Sequence, residues 1–269
     1  MIIDNSDLIK EIKNKISIVD ELKQNKEAYD FFIKAFKPRF CWSSNQIEGN
    51  TLTLDETLAF IEYDEVKSNH TYTEYSEAKT LYTAINRMLH FEGGYSLGEY
   101  EIKTINQIIL DKTYLEDNNL QNKGYRTNNV YVGNQIEKIY IPPDFNNVPK
   151  LMEEYSENLN IFDSFSISET INKIVHDHIN FERIHPFKDG NGRTGRIIMN
   201  QQLINNGFLP ICITKNSKYN QSFKQFDKNR DYSLLEHILC KEILNTFSIA
   251  KDLLKKNKLV EDKPKSIKR

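Results

Sequence analysis

The stretch HPFKDGNGRTGR, residues 185–196, combines residue types that can bind an anion. Its Gly-Asn-Gly turn can point successive backbone amides in one direction, because glycine tolerates the backbone angles that an anion-binding nest needs. If a helix begins at Arg193 or Thr194, its first N–H groups and the positive end of its dipole face the same point. These features predict a phosphate cradle. Its amides are those of Gly190, Asn191 and Gly192.

The charged side chains of this stretch indicate what chemistry the anion would undergo. Arg193 and Arg196 are three residues apart, so on a helix they are neighbours and can both reach one anion. Asp189 would repel phosphates unless a divalent cation lies between them, which predicts a Mg²⁺ ligand. His185 begins the stretch, and an imidazole whose pKa lies near neutral pH can take a proton from an attacking hydroxyl.

Each of these residues also has an ordinary structural role. A single histidine more often packs or forms a structural hydrogen bond, glycine-rich loops are common, and arginine pairs usually face water. The functional interpretation depends on their joint occurrence in one short segment, with complementary roles. His176 and His178 are poor joint metal ligands, because residues two apart do not face each other on a helix. We expect His178 to pack or hydrogen-bond near the loop without a catalytic role.

The elements that must position this stretch are predicted to be mostly helices. Apolar residues recur at helical spacing in an opening amphipathic helix. They are Leu8, Ile9, Ile12, Ile16, Val19 and Leu22. Pro38 is expected to break the chain after an aromatic-rich segment. Two capping boxes, Thr53 with Glu56 and Ser96 with Glu99, predict further helix starts.

Three more helices and one hairpin are predicted around the stretch. One helix covers about 166–181, a second ends at Gly207, and a long third helix includes 234–244. In residues 128–143, β-branched and aromatic residues flank a Gly-Asn pair, which predicts a β-hairpin that two prolines close.

Composition and charge disfavour several classes of protein. The 269 residues suffice for one large domain or a core with an extension. The net charge of -2 offers no electrostatic basis for nucleic-acid binding. No stretch approaches the roughly 20 apolar residues that span a bilayer, and the charged N-terminus lacks a signal-peptide core. Scattered cysteines predict free thiols in a reducing compartment, so we expect a cytoplasmic protein without membrane or nucleic-acid partners.

The stretch resembles the HPFx(D/E)GNGRxxR signature of the Fic-domain family at every fixed position. INFERIHPF before it, NGFLPI after it, SKYNQSFKQFD further on, and GYRTNNVYVG with YIPP upstream are also similar to family segments. The similarity extends from about Tyr95 to Phe247. It implies an all-α fold with a small β-hairpin flap. The implied parts are an N-terminal helical extension (1–94) and a Fic core (95–250). Residues 251–269 are expected to be a disordered basic tail, because the end of the chain is polar, basic and without periodicity.

Most characterised Fic proteins transfer AMP from ATP to a hydroxyl side chain of a protein and release pyrophosphate. The resemblance thus implies a protein adenylyltransferase with ATP as co-substrate, Mg²⁺ as cofactor, and a Tyr, Ser or Thr target on another protein or on itself. It implies that His185 is the base, Asp189 holds Mg²⁺ and Arg196 clamps the γ-phosphate. Further implied ATP contacts are Gly190, Asn191, Gly192, Arg193, Tyr219, Asn220, and the flap residues Glu137, Lys138, Ile139 and Tyr140.

A second motif lies in the N-terminal extension. In SSNQIEGNT, Ser44 and Glu48 are one helical turn apart, and Gly49 is an expected helix stop. Taken alone, this is a solvated helix end whose carboxylate is poorly placed for the helix dipole. The segment is similar to the [S/T]xxxE[G/N] inhibitory motif in the arrangement called class II. The resemblance implies that Glu48 pairs with Arg196 and prevents it from clamping ATP.

Several alternatives stay open at the level of the sequence. The same loop could transfer UMP or phosphocholine, or remove AMP from a target if Glu48 positions a water. Doc-like phosphotransferases replace the Gly-Asn-Gly segment, so its presence favours nucleotidyl transfer. The complete motif disfavours an inactive binding or regulatory module, and the short segment after the last helix disfavours a DNA-binding regulator. The sequence does not determine the target or whether the protein is a homodimer.

Overall fold

The structure is a computed structural model that describes residues 2–67, 69–110, 124–133, 138–162, 165–214 and 217–261. For 138, 139, 217 and 257–261 it describes the backbone alone. Within these ranges the chain forms eleven α-helices and one antiparallel pair of short strands, which confirms the all-α class. The helices that precede the strands are α1 (Ser6–Lys15), α2 (Ile18–Gln24), α3 (Lys26–Ile47), α4 (Leu54–Tyr63), α5 (Tyr72–Met88) and α6 (Glu99–Leu110).

The second half of the chain contains the strands and the helices nearest to the predicted cradle. The strands are β1 (Val132–Gly133) and β2 (Lys138–Tyr140), and a 3₁₀ turn (Phe145–Asn147) follows them. The remaining helices are α7 (Val148–Leu159), α8 (Ile167–Ile184), α9 (Asn191–Asn205), α10 (Ser217–Asn229) and α11 (Ser233–Glu261). Among the described helices, none combines the length and the apolar content that crossing a bilayer requires.

Pro38 does not interrupt the helix, contrary to the expectation from the sequence. Helix α3 continues through it over 22 residues. Proline inside a helix removes one backbone hydrogen bond and costs about 3 kcal/mol. Phe32, Phe36 and Phe40 are buried at a spacing of four residues, and the rings of Phe36 and Phe40 are 5.5 Å apart. Burial of this aromatic stripe on both sides of the proline offsets the lost hydrogen bond.

Side-chain caps begin two helices where the sequence predicts them. The predicted box at Thr53 and Glu56 starts α4. Helix α8 starts after Ser166, where the predicted helix begins, and Glu169 completes a capping box there. Each cap satisfies backbone N–H groups that a helix start otherwise leaves without partners, which sets the first residue of the helix.

The capping box predicted from Ser96 and Glu99 is wrong. Helix α6 begins only at Glu99, so Gly98 precedes its first residue. The physical reason lies in Leu97, which is buried and whose backbone N–H and C=O are both hydrogen-bonded to the Asn160 side chain. This tertiary contact holds the chain in the core just before the helix and moves the helix start past Ser96.

Helix α9 lies at the centre of the molecule. It contributes Ile197, Ile198 and Ile204 to one hydrophobic cluster and Met199 and Leu203 to another. Nearly all residues of this helix are buried, the polar ones included, which makes it a core element. Because α9 is enclosed by both clusters, its N-terminus, where the cradle is predicted, has a fixed position among the surrounding helices.

The N-terminal extension and the predicted core share their packing. Phe40, Leu81 and Ile85 belong to the same buried cluster as Ile105 and Ile197. The cluster therefore includes side chains from both sides of the boundary expected between residues 94 and 95. That boundary stays a prediction, but the hydrophobic core does not follow it.

The predicted opening helix is divided into α1 and α2, which pack with the C-terminal helix. Ile12, Val19 and Leu22 are buried and join the cluster that also contains residues of α11. The Asn5 side chain donates a hydrogen bond to the Ser233 carbonyl at 2.9 Å. The start of the described chain is therefore held against the start of α11.

Helix α11 continues past the expected start of a disordered tail at residue 251. It ends at Glu261, and residues 262–269 lie outside the described part of the chain. Ala250 and Leu254 are buried and prolong the apolar stripe of the helix. The predicted start of the tail is therefore too early, because this stripe continues to find a partner surface.

Candidate active site

The cradle stretch forms a tight loop between α8 and α9. His185 ends α8 in the left-handed conformation, with φ 48° and ψ 61°. Gly190 is also left-handed, with φ 75°, and precedes the first residue of α9. Helix α9 begins at Asn191, two residues before the earliest predicted start. The reason is that the Asn191 side chain closes the loop, accepting from Phe187 N–H and donating to Phe187 C=O, both at 2.9 Å.

The start of α9 is suited to an anion. Its N-cap residue is a glycine, so no side chain caps the first N–H groups of this helix. Those amides and the positive end of the helix dipole attract negative charge. Gly192 lies in this first turn, and a Cβ there would collide with a carboxylate oxygen of Glu48. Gly190 thus permits the backbone turn of the cradle, and Gly192 permits the close approach of Glu48.

Asn106 of α6 supports the loop from behind and was missed by the sequence predictions. Its amide nitrogen donates to the Asp189 carbonyl at 2.9 Å and lies 3.2 Å from Thr194 Oγ1. A Cβ on Gly190 would be 2.9 Å from that same nitrogen. Nothing in the local sequence signals this contact, because 83 residues separate Asn106 from Asp189.

Arg126 is a second support that the sequence predictions missed. Its side chain is buried, and its Nε donates to the His185 carbonyl at 2.9 Å. Its backbone N–H donates to the Pro186 carbonyl at 2.8 Å. Arg126 therefore fixes the backbone of His185, while the His185 imidazole faces the pocket.

Arg196 is buried and is held by both residues of the second motif. Its Nη2 donates to Glu48 Oε1 at 2.6 Å and to the Ser44 carbonyl at 3.0 Å. Its Nε donates to Ser44 Oγ at 2.9 Å. Helix α3 ends at Ile47, and Gly49 follows with a positive φ of 103°, as expected for a helix stop. The end of α3 thereby brings Ser44 and Glu48 to a residue more than a hundred positions further along the chain.

The Glu48 carboxylate is anionic in this arrangement. Burial raises the pKa of Glu48, but the charge and hydrogen bond of Arg196, with help from Arg193 and His185, bring it below its ordinary value. The Glu48 side chain is still 37% exposed, whereas the Arg196 side chain is 2% exposed. The pair therefore has a fixed cation and a more accessible anion.

Arg193 and Arg196 have different carboxylate partners. Arg193 lies 3.6 Å from Glu77 and 3.7 Å from Asp189, while the ion-pair partner of Arg196 is Glu48. Asp189 is exposed, and its Oδ1 accepts a hydrogen bond from Gly190 N–H at 2.6 Å. Arg193 thus fixes the loop by its charge, and Asp189 presents its carboxylate at the outer edge.

A pocket of about 370 Å³ brings several predicted residues together. The predicted residues among its lining are Glu48, Tyr140, His185, Gly192, Arg196, Tyr219 and Asn220. Asp189, Gly190, Asn191 and Arg193 belong to the loop but do not line the pocket. Glu137 lies outside the described residues, and only the backbone of Lys138 and Ile139 is described. The lining also includes Glu182, Arg183 and Phe223, which the sequence predictions did not single out.

Two histidines near the pocket are kept neutral mainly by burial. Burial and Arg196 lower the pKa of His178 to about 3, and its Nε2 lies 2.8 Å from the Tyr219 hydroxyl. This confirms the expectation that His178 hydrogen-bonds near the loop. Burial also lowers the pKa of His185, although the Glu182 carbonyl opposes this effect. A neutral imidazole at the pocket can accept a proton.

The predicted hairpin is present as two short paired strands. Val132 of β1 lies opposite Tyr140 of β2 in an antiparallel arrangement. The Tyr140 hydroxyl donates to the Arg183 carbonyl at 3.0 Å, and the Arg183 guanidinium is 4.5 Å from the Tyr140 ring. Arg183 also forms a bidentate ion pair with Asp227 of α10, at 2.7 and 3.0 Å. These contacts hold β2 at the rim of the pocket.

Part of the chain is similar in sequence to known proteins. Residues 96–203 match the Fic/DOC family. The chain is 30% identical over 176 residues to the protein adenylyltransferase Fic of Drosophila persimilis, with 64% of this chain and 33% of that protein covered. It is 29% identical over 181 residues to the protein of the same name from Nematostella vectensis, of which 38% is covered. The chain thus spans about a third of the length of these curated relatives.

Solved structures extend the similarity to most of the described fold. A Fic-domain-containing signaling protein from Bacteroides thetaiotaomicron matches with a TM-score of 0.77 at 23% identity, over 92% of this chain and 97% of that chain. Residues 134–508 of Fic-1 from C. elegans match with a TM-score of 0.74 at 19% identity, over 94% of this chain and 73% of that chain. At such identities the likeness concerns the fold.

Fold and site together define a helical protein whose central helix begins at a glycine-rich anion-binding loop. The loop sequence, the family match and the fold agree on one assignment. The part of the chain that includes this loop, residues 96–203, matches the Fic/DOC family.

Proposed function

We propose that the protein is a protein adenylyltransferase, which transfers AMP from ATP to a Tyr, Ser or Thr hydroxyl and releases pyrophosphate. One observation carries the proposal: His185 and the buried Arg196 line the same pocket, at the N-terminus of α9. That combination offers a base for a hydroxyl and a cation for a triphosphate. The names of the Drosophila and Nematostella relatives support the same activity.

In the proposed complex the triphosphate lies against the first turn of α9. The amides of Gly190, Asn191 and Gly192 receive phosphate oxygens, and the charge of Arg193 adds to the positive potential of the loop. Arg196 holds the γ-phosphate. Tyr219 and Asn220 line the same pocket and are assigned to the adenine. Binding of this kind aligns the α-phosphate for in-line attack.

His185 is the proposed general base. Its imidazole is neutral at neutral pH, because burial keeps its pKa below the ordinary value. It takes the proton of the target hydroxyl as the oxygen bonds to the α-phosphorus and pyrophosphate leaves. Positioned general bases contribute roughly 10²–10⁴-fold in rate. The flap strand β2, which Arg183 holds at the pocket rim, is assigned to the target segment by strand addition.

Asp189 is the proposed Mg²⁺ ligand, and its surroundings fit that ion. Mg²⁺ is commonly bound by one or two carboxylates together with substrate phosphates and waters. Asp189 is exposed beside the anion-binding amides, and the described residues contain no group of three or more His, Cys, Asp or Glu side chains able to hold a metal. A single carboxylate suits an ion that arrives with the nucleotide. When bound, Mg²⁺ neutralises phosphate charge.

Glu48 is the proposed inhibitor of this reaction. Its carboxylate accepts a hydrogen bond from Arg196, the residue assigned to the γ-phosphate. The absence of a side chain at Gly192 lets this carboxylate approach the cradle closely. ATP and Glu48 therefore compete for one cation. The exchange does not leave Arg196 without an anion, because the arriving phosphate replaces the negative charge of Glu48.

Labelling with radioactive nucleotides tests the transfer. The wild type, Glu48→Gly and Glu48→Gly/His185→Ala are incubated with α-labelled ATP, CTP, GTP or UTP and a cell lysate. We expect protein-bound label from ATP with Glu48→Gly, and a loss of that label in the double variant while ATP still binds. Full labelling by the double variant would contradict the role of His185, and no labelled protein with any nucleotide would contradict the activity.

Removal of AMP from a modified target is a second candidate function. It is favoured by the position of Glu48, a partly exposed carboxylate in the pocket that also contains His185. Such a carboxylate can orient a water as the nucleophile. Purified AMP-modified target from the labelling reaction is the substrate to test. Release of AMP by the wild type, with a loss in Glu48→Gly, would support this candidate; equal release by both would contradict it.

A further inference from the structure

The pocket contains a second carboxylate that the proposed reaction does not use. Glu182 belongs to α8, three residues before His185, and lines the pocket. Its Oε1 atom is shielded from solvent and has no hydrogen-bond partner among the described residues. A shielded carboxylate oxygen without a hydrogen-bond partner is costly unless the group is protonated or balanced by a nearby cation.

Two glycines of α9 each leave room for one carboxylate beside the helix. A Cβ on Gly192 would collide with Glu48 Oε1, and a Cβ on Gly195 would be 2.8 Å from Glu182 Oε1. Gly195 immediately precedes Arg196, and Gly192 lies one helical turn earlier. The missing side chains therefore let two carboxylates lie against the part of α9 from which Arg196 projects.

Of the charged groups around Glu182, Arg196 is the cation available to balance it. The pKa of Glu182 is raised to about 7, because the effect of burial, to which Glu48 adds, outweighs the lowering by Arg196 and Arg183. Arg183 of the same helix is already paired with Asp227. His178, one turn earlier on α8, is neutral, and burial raises the pKa of Tyr219 on α10 so that it is neutral too.

We propose that Glu182 is a second carboxylate partner of Arg196, a positioning residue that balances and holds this guanidinium whenever Glu48 withdraws. The proposal rests on the proposed function, because it assigns Arg196 to the γ-phosphate. With Glu48 in place, Arg196 is balanced and Glu182 carries a proton for much of the time at neutral pH. Without Glu48, Arg196 would be a buried cation with no anion, and Glu182 ionises.

This exchange makes a prediction about protons. Removal of Glu48 removes an influence that raises the pKa of Glu182 and frees Arg196, so the pKa of Glu182 falls and a proton leaves. When ATP then binds, its γ-phosphate takes the place of the Glu48 charge beside Arg196. The pKa of Glu182 rises again, and the carboxylate takes a proton from the buffer. ATP binding to a variant without Glu48 is therefore coupled to proton uptake at Glu182.

Titration calorimetry of ATP binding in two buffers of different ionisation enthalpy measures this uptake. The proteins are Glu48→Gly and Glu48→Gly/Glu182→Gln, with Mg²⁺ present and at a series of pH values around neutrality. Protonation of ATP itself contributes equally to both proteins, so the difference isolates Glu182. We expect the single variant to take up more protons for each ATP bound, and the double variant to lose this excess. Equal uptake by both would overturn the proposal.

Two further variants guard against indirect effects. Glu242→Gln in the Glu48→Gly background is the matched control, since burial also raises the pKa of Glu242 but this residue lies on α11, away from the pocket lining. It should leave the uptake unchanged. Gly195→Ala in the same background displaces the Glu182 carboxylate without removing it and should lower the uptake, which keeps the idea testable if Glu182→Gln does not fold. Retained uptake in Gly195→Ala would count against it.

A failure of this inference is distinguishable from a failure of the proposed function. ATP binding without excess proton uptake would remove the role of Glu182 and leave the adenylyltransferase proposal intact. The absence of any ATP binding by Glu48→Gly would contradict the proposed function itself.

Discussion

At the scale of single residues, Arg196 is the cation for which Glu48 and the proposed γ-phosphate compete. It is almost fully buried, and a carboxylate and a serine hold it in place. A buried arginine keeps its charge, so some anion must remain beside it. The structure provides Glu48, and the proposed function adds the γ-phosphate as a replacement.

A graded series at Glu48 tests that competition. Glu48→Gln keeps a hydrogen-bonding side chain but removes the charge, and Glu48→Gly removes both. We expect self-labelling with ATP to rise from wild type to Gln to Gly, by at least about tenfold overall, which corresponds to about 1.4 kcal/mol. Quantified label per protein is the measurement, with Glu242→Gln as a control that should match wild type. No increase in Glu48→Gly would remove Glu48 from the mechanism.

The pH dependence of transfer tests His185. A general base works only when neutral, and burial sets the pKa of His185 below its ordinary value. Lowering the pH protonates it, so the rate should fall on the acidic side with a midpoint below about 6.5. The profile of kcat/KM is measured in Glu48→Gly/Glu182→Gln, which removes the two carboxyl groups that line the pocket together with His185.

A control separates this effect from general instability in acid. Burial also lowers the pKa of His176, whose ring lies 3.8 Å from that of Tyr232 and which does not line the pocket. His176→Gln in the same background should leave the profile unchanged. A midpoint above about 6.5 would disagree with the proposed environment of His185.

At the scale of elements, the loop depends on a helix far away in the sequence. Asn106 of α6 donates to the Asp189 carbonyl and approaches Thr194 Oγ1. Helix α6 thereby fixes the turn at Gly190, while the Asn191 side chain closes the loop from within. The anion-binding amides have a defined direction only because both contacts are made.

Removal of the Asn106 contacts should reduce activity more than stability. Asn106→Ala loses two hydrogen bonds, each worth about 0.5–1.5 kcal/mol, and leaves the loop less well aligned. We expect a lower kcat in the Glu48→Gly background, with unfolding free energy reduced by no more than about 3 kcal/mol. Asn86→Ala, which removes an exposed contact with Lys37, is the control. Unchanged kcat in Asn106→Ala would show that the loop does not need this support.

At the scale of the whole molecule, the helices on both sides of residue 94 share one buried cluster. Leu81 of α5 and Ile197 of α9 are members of it. The end of α3 reaches the site through this packing, so the position of Glu48 depends on the stability of the whole. A helix that shared no core with the loop could not hold the Glu48 carboxylate at a fixed distance from Arg196.

This shared core predicts one cooperative unfolding transition. The sequence has a single tryptophan, Trp42, which lies on α3 and reports on the N-terminal part. Far-ultraviolet circular dichroism reports on all helices. In urea the two signals should coincide, and Leu81→Ala should shift both midpoints together, with a loss of about 2–5 kcal/mol. Thr83→Ala, an exchange on the same helix outside the cluster, is the control, and two separate transitions would contradict a shared core.

The sequence by itself determined those features that rest on neighbouring residues. The capping residues of α4 and α8, the helix stop at Gly49 and the turn at Gly190 follow from backbone rules that act within a few residues. The residue types of the His185–Arg196 stretch likewise indicated an anion site. Similarity to a known family then connected the stretch with Glu48.

The tertiary structure decided what depends on contacts between distant residues. The continuation of α3 through Pro38 and the late start of α6 result from burial and from hydrogen bonds to distant residues, which override local preferences. The roles of Asn106, Arg126 and Glu182 were not predicted from the sequence, because they arise only when helices α6 and α8 and the segment before the hairpin pack around the start of α9. Local rules determine where a helix can begin; burial and long-range pairing determine which side chains meet in the pocket.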